Sequence, residues 1–234
     1  MQYNNPFVDI CLEGSTSLLR GLGQADKEIL YQHHTVANFR KGDIIINHGA
    51  RLKGLICLAS GKAKVFRIGA GNREQIIKML RPMNFISYRS LVSDSTFTFT
   101  VVAIEESATV TFERNAFSGI LKQNGELAAR FIKVISDDLL HSENRIISLT
   151  QKHVRGRMAE SILLLCETYG TEPDGKTLSV MLSREDIAHL SNMTTSNAIR
   201  TLSGFVSEKI LDIEGRKIMI LDPAALKAIS ESGQ

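Results

Sequence analysis

Between Phe39 and Phe112 the apolar residues fall in short runs, β-branched or alternating with polar positions: FRKGDIIINHG, KGLICLASGKAKVFRIG, REQIIKML and TFTFTVVAIEESATVTF. Gly42, Gly49, Gly54, Gly61 and the tight-turn sequence Gly69-Ala70-Gly71-Asn72 punctuate them. Several short strands at such spacing predict a β-sandwich or jelly-roll barrel. Two brief helical patterns precede this region, near SLLRGL and ADKEILYQHH.

From Ala116 the period changes. Ala128, Ile132, Ile135, Leu139, Ser142, Ile146 and Leu149 recur at alternating intervals of four and three, with polar residues at most positions between. This is a heptad seam on one helix. A second stripe, Leu127, Phe131 and Val134, is placed to face the β-domain. One stripe serves the helix's own domain and the other is left over. That predicts a homodimer interface at Ile132, Ile135, Leu139, Ser142, Ile146 and Leu149; the alternative is a helix buried between two domains.

Beyond Thr150 the helical period returns in HVRGRMAESILLLCETYG, TEPDG reads as a turn, and KTLSVML alternates like a strand. LSREDIAHLSNMTTSNAIRTLSGF then holds two short helical patterns around Ser191-Asn192-Met193. Ser183 and Asp186 resemble a capping box that opens the first, whose inward face is Ile187, Ala188 and Leu190. Asn192 tolerates the left-handed conformation that ends a helix. Thr194 is placed to cap the second, with Ala198, Ile199 and Leu202 as its buried face. Two β-runs in VSEKILDIEGRKIMILD flank Glu214-Gly215, a hairpin signal, and Asp222-Pro223 opens a last helix. Helix, turn, helix and hairpin predict a winged helix-turn-helix. Its second helix would offer Thr195, Ser196, Asn197 and Arg200 to bases in a DNA major groove, while Thr194, Arg216 and Lys217 position phosphates. A helical hairpin with a merely polar solvent face is the competing reading.

The fold class is therefore α+β, divided into a β-domain over 1–115, a long helix over 116–149 and a winged helix-turn-helix over 150–234. Composition adds constraints. The chain has 234 residues and a net charge of only +3. Residues 1–149 carry 18 basic and 14 acidic side chains and residues 150–234 carry 10 and 11, so a DNA-binding second half needs local positive charge. Lys152, Arg155 and Arg157 are candidates for it, although Arg157 has Glu160 three residues on. No apolar run is long enough to span a membrane, and MQYNNPFVDICLEG lacks the features of a secretion signal, so a cytoplasmic location is expected. Cys11, Cys57 and Cys166 have neither disulfide nor metal spacing and read as buried or partly buried thiols. There is no Ser-His-Asp order, metal-ligand spacing or Gly-rich phosphate loop, which argues against an enzyme.

Over roughly residues 17–222, the order of KGDIIINHG, GLICLASGKAKVF, the 116–149 helix and LSREDIAHLSNMTTSNAIRTL resembles the cyclic-AMP receptor protein/FNR (Crp/Fnr) family of bacterial transcription regulators. MTTSNAIRTLSGF is similar to the version common in Bacteroidetes. The resemblance implies a cyclic-nucleotide-binding-like β-roll sensor, a dimerising helix, a winged helix-turn-helix reading double-stranded DNA, and contact with RNA polymerase. It also exposes departures. Against the family's phosphate-binding cassette, FISYRSLVSDSTFTFT puts Tyr88 where a glutamate holds the ribose, and Thr98 and Phe99 where arginine and serine hold the cyclic phosphate. Without the arginine, a charge-assisted bidentate contact is lost, and Arg89 is wrongly spaced to replace it. Tyr88, Arg89, Thr98 and Phe99 are thus candidate lining for an effector other than cyclic AMP. Only Cys11 is near the N-terminus, so the family's iron–sulfur cluster is not expected. Haem-binding relatives exist, and His33, His34 or His48 would be the ligand of a haem-based redox or nitric-oxide sensor. In the recognition helix, Thr195 and Ser196 stand where relatives carry arginine and glutamate, while Arg200 matches; the operator should differ from the usual half-sites. The rival function is an effector-binding module acting through a protein partner.

Overall fold

A computed structural model describes residues 5–233, so the outermost ends of the first and last predicted domains lie outside the described residues. The chain divides into two compact units. One comprises residues 5–67 and 78–139; the other comprises residues 68–77 and 140–233.

The first unit opens with helix α1 (Pro6–Glu13), whose start is fixed by Asn5: its side chain accepts from the amides of Phe7 and Val8, with Pro6 at the first helical position. SLLRGL is not helical. It forms consecutive turns, and the helix that follows is α2 (Gln24–Gln32). Strands β1 (His34–Phe39), β2 (Ile44–Ile46), β3 (Gly54–Ser60), β4 (Ala63–Ile68), β5 (Glu74–Leu80), β6 (Thr100–Ala103) and β7 (Ser107–Glu113) form two sheets, of order β1-β7-β3 and β2-β6-β4-β5, with a short helix α3 (Tyr88–Val92) between β5 and β6. The run GLICLAS lacks hydrophobic alternation because β3 is buried on both faces. Leu55, Cys57 and Ala59 enter a cluster with α1 and the helices after β7, while Ile56 and Leu58 enter the inner cluster with Ile46, Val65, Leu80 and Val101. Gly54 is required where β3 meets β7, since a Cβ there would overlap the Phe112 carbonyl.

The helical stretch after β7 is two helices rather than one: α4 (Arg114–Gln123) and α5 (Gly125–Gln151). Asn124 breaks them. Its backbone is extended, with φ −113° and ψ 92°, and its side-chain oxygen accepts from the Leu127 amide at 2.9 Å. It therefore ends one helix and caps the next. Leu127, Phe131 and Val134 pack into the β-domain cluster as the second stripe predicts.

In the second unit α6 (Val154–Tyr169) leads to α7 (Arg184–Leu190), α8 (Thr195–Ser207), the hairpin β8 (Leu211–Glu214) and β9 (Lys217–Ile220), and α9 (Pro223–Ser232). The predicted strand in KTLSVML is not formed. Thr177 and Leu178 make only isolated bridges, to Met219 and Thr171 respectively, because the segment meets too few partners for a ladder. At α9 the Asp222 carboxylate accepts from the Ala225 amide at 2.9 Å. No helix is long and apolar enough to cross a membrane among the described residues.

Candidate nucleic-acid interface

The helix pair is built by its caps. The Ser183 hydroxyl accepts from the Asp186 amide at 3.0 Å and donates to the Asp186 carboxylate at 2.7 Å, opening α7. Asn192 takes φ +49°, and the Met193 amide reaches back to the Ala188 carbonyl at 3.0 Å, the bond of a left-handed helix stop. Thr194 then caps α8, accepting from the Asn197 amide at 3.2 Å. Ile187, Ala188 and Leu190 are buried on α7, and Ala198, Leu202 and Phe205 are buried on α8. Ile199 departs from its expected place: it is 48% exposed, and Phe205, seven residues beyond Ala198, completes the buried row instead. Ile199 lies about 100° around the helix from Ala198, off that row.

The first turns of α8 present Thr194, Thr195, Ser196 and Arg200 to solvent, with Asn197 half-buried beside them. In the wing Glu214 pairs with Lys217, leaving Gly215 and Arg216 as a two-residue turn with Gly215 at φ +58°. Arg216 and Lys217 are exposed at this tip. An Arg184 guanidinium nitrogen donates to the Gly215 carbonyl at 2.7 Å, tying the wing to the start of α7.

The turn between α7 and α8 is braced from outside. Arg157 donates through Nε to the Ser191 carbonyl at 3.1 Å, through Nη2 to Asn192 at 3.3 Å and through Nη1 to Lys152 at 2.8 Å. Arg145 donates to the Leu190 carbonyl, and Gln75 Nε2 donates to that of His189 at 2.8 Å. These carbonyls end a helix and have no partner within it, so donors from elsewhere must satisfy them. Burial lowers the Arg145 pKa, an effect opposed by the charge of Glu160.

The three side chains expected to add local positive charge, Lys152, Arg155 and Arg157, are each engaged within this unit. Arg157 is spent on the turn rather than on Glu160. Arg155 makes a two-pronged pair with Glu208, 2.7 Å at one prong, and lies over the Phe205 ring at 4.8 Å. That hydrogen-bonded pairing raises the arginine pKa and lowers that of Glu208. Lys152 stands 3.5 Å from Glu160.

On α5 the predicted seam faces outward. Ile132, Ile135, Leu139, Ser142 and Ile146 are exposed and Leu149 is half-buried; Leu140 and Ile147, one residue beyond two seam positions, widen the exposed apolar stripe.

The four effector-pocket candidates occupy three environments. Tyr88 is buried, its hydroxyl donating to the Asp138 carboxylate, whose other oxygen pairs with Lys78 at 2.7 Å. Burial, and then Asp138, push the phenol pKa well up. Arg89 and Thr98 are exposed, and Phe99 is half-buried against the inner β-roll cluster, edge-on to Phe97 at 6.1 Å. His33 is exposed with Nδ1 3.1 Å from the Glu113 carboxylate, His34 Nδ1 is 2.7 Å from the Tyr31 carbonyl, and His48 lies in an exposed turn. Cys11 and Cys57 are buried free thiols and Cys166 is half-buried; burial, with Cys11 adjacent, pushes the Cys57 thiol up. Among the described residues no three His, Cys, Asp or Glu side chains gather as a metal site.

The exposure of Ile199 and the Arg157 brace depend on packing between segments distant in the chain. The Asn5-Pro6 start of α1, by contrast, was a readable signal.

A β-roll followed by a capped helix pair with a wing defines a sensor-type DNA-binding regulator. Two family models match: the cyclic nucleotide-binding domain over residues 36–124 and the Crp-like helix-turn-helix domain over 156–229. The chain is 25% identical over 191 residues to the CRP-like cAMP-activated global transcriptional regulator of Mycobacterium tuberculosis, covering 81% of this chain and 85% of that one. It is 26% identical over 199 residues to the global nitrogen regulator of Synechococcus elongatus, covering 82% and 87%. The fold matches FixK2 from Bradyrhizobium japonicum with a TM-score of 0.75 at 19% identity, over 84% of this chain and 96% of that one. The chain belongs to the Crp/Fnr family of transcription regulators.

Proposed function

We propose that this regulator acts in the cytoplasm as a homodimer on a palindromic operator. The observation that carries this is the exposed set Thr195, Ser196 and Arg200 on a helix capped at Thr194 and braced at its turn, in a chain that also leaves an apolar seam on α5 uncovered. Two such helices would enter successive major grooves about one helical turn apart. Arg200 reads a guanine, Thr195, Ser196 and Asn197 supply further base contacts, and Thr194, Arg216 and Lys217 hold phosphates. RNA polymerase is the partner by family. The effector is a small molecule other than cyclic AMP, since Tyr88, Thr98 and Phe99 replace the family's ribose- and phosphate-binding groups. It acts by favouring one arrangement of the α5 seam over another.

Selection from random DNA is expected to recover a palindrome that differs from the cyclic-AMP receptor consensus. On the selected operator, Arg200→Ala should cost about 1–3 kcal/mol and relax the choice at one base pair per half-site. Recovery of the cyclic-AMP receptor consensus, or an equal loss on every sequence, would contradict the assigned roles.

A further inference from the structure

Ile199 lies on the recognition helix outside its buried row and 48% exposed. The row Ala198, Leu202 and Phe205 closes the contact with the rest of the unit without it, all three being at most 2% exposed. Thr195 is four residues before Ile199 and Ser196 three, so both lie one turn away on the adjoining helix surface. Arg200 is the next residue. An apolar side chain is therefore set among the polar groups assigned to bases, in the first two turns of α8. Val206 is also partly exposed, but seven residues further on it lies about 10 Å along the axis, away from those groups.

Only one of the four bases displays an apolar group in the major groove. Thymine carries its C5-methyl there, and contact with it distinguishes T·A from A·T and from both G·C orientations. A β-branched side chain in a helix is nearly fixed at χ1, so Ile199 loses little freedom when it is covered. We propose that Ile199 is a specificity residue that contacts the C5-methyl group of a thymine in each half-site, beside the base read by Arg200. This rests on the DNA-reading role proposed for α8.

The test uses the full-length protein and its selected operator. Each thymine is replaced in turn by deoxyuridine, symmetrically in both half-sites, which removes the methyl and keeps the hydrogen-bonding edge. One position is expected to weaken binding about three- to fivefold per half-site, the scale of one buried methyl group. Ile199→Ala should weaken binding to the thymine operator and bring the thymine-to-uracil ratio at that position to about one. Because the side chain is exposed, the variant should fold normally. A flat deoxyuridine scan with the native protein, or an Ile199→Ala protein that keeps the native ratio, would overturn the assignment while leaving DNA binding intact. Failure to enrich any DNA sequence would instead overturn the underlying role of α8, and this inference with it.

Discussion

Replacing Leu139 and Ile146 together by aspartate is expected to leave the protein monomeric and to weaken binding to a two-half-site operator about a hundredfold or more. The two side chains are seven residues apart on α5 and 60% and 62% exposed in the single chain. Covering a large aliphatic side chain is worth about 1.5–3 kcal/mol, and each would be covered twice in a symmetric pair. Aspartate removes that gain and sets carboxylates near their own copies. Once the pair separates, each recognition helix binds alone and the advantage of linked half-sites disappears. Because both side chains are exposed, the fold should persist, which circular dichroism can check. Sedimentation equilibrium would read the mass. A dimer of undiminished operator affinity would move the interface off α5.

Arg157→Met should lower the stability of the second unit by about 2–4 kcal/mol and weaken DNA binding on all sequences alike. The methionine keeps an apolar stem but leaves the carbonyls of Lys152, Ser191 and Asn192 without the guanidinium that joins them. A half-buried carbonyl left without a donor costs roughly 1–3 kcal/mol, less where water can reach it. Lysine should rescue poorly, because a single ammonium cannot reproduce the planar fork. Base preference should survive, since Arg157 fixes the α7–α8 turn and touches no base in the proposed arrangement. Thermal melting with operator-competition assays would check both parts, and an unchanged melting temperature would show that the brace is dispensable.

Local chemistry made much of this molecule legible in its sequence. Ser183, Thr194 and Asp222 each act through a bond to a backbone amide three residues on, and Asn192 through its own left-handed backbone, so residue type and spacing nearly determine the outcome. The α5 seam was equally readable, because a helix face follows from spacing alone. What escaped depends on distance along the chain. Arg157 finds its carbonyls 34 and 35 residues on, and Tyr88 reaches Asp138 over 50 residues, separations no periodicity encodes. Ile199 fits an apolar helix pattern as well as any core residue; only the packing of Phe205 shows that the core closes without it. SLLRGL has helical spacing but is drawn into turns, with the Ser17 hydroxyl engaged by the Cys11 carbonyl. KTLSVML alternates convincingly yet lacks a neighbour for its full length.

Pairing of Arg155 with Glu208 and of Lys152 with Glu160 has an effect on how binding responds to ionic strength. Cations already matched by carboxylates displace few condensed counterions from a duplex, and each phosphate truly neutralised contributes about one unit to the logarithmic salt slope. With Arg157 also engaged by the carbonyls of Lys152, Ser191 and Asn192, a protein of this build would hold its operator through a small number of ionic contacts. It would therefore linger weakly on unrelated DNA and depend, more than a strongly basic relative would, on what the bases themselves offer.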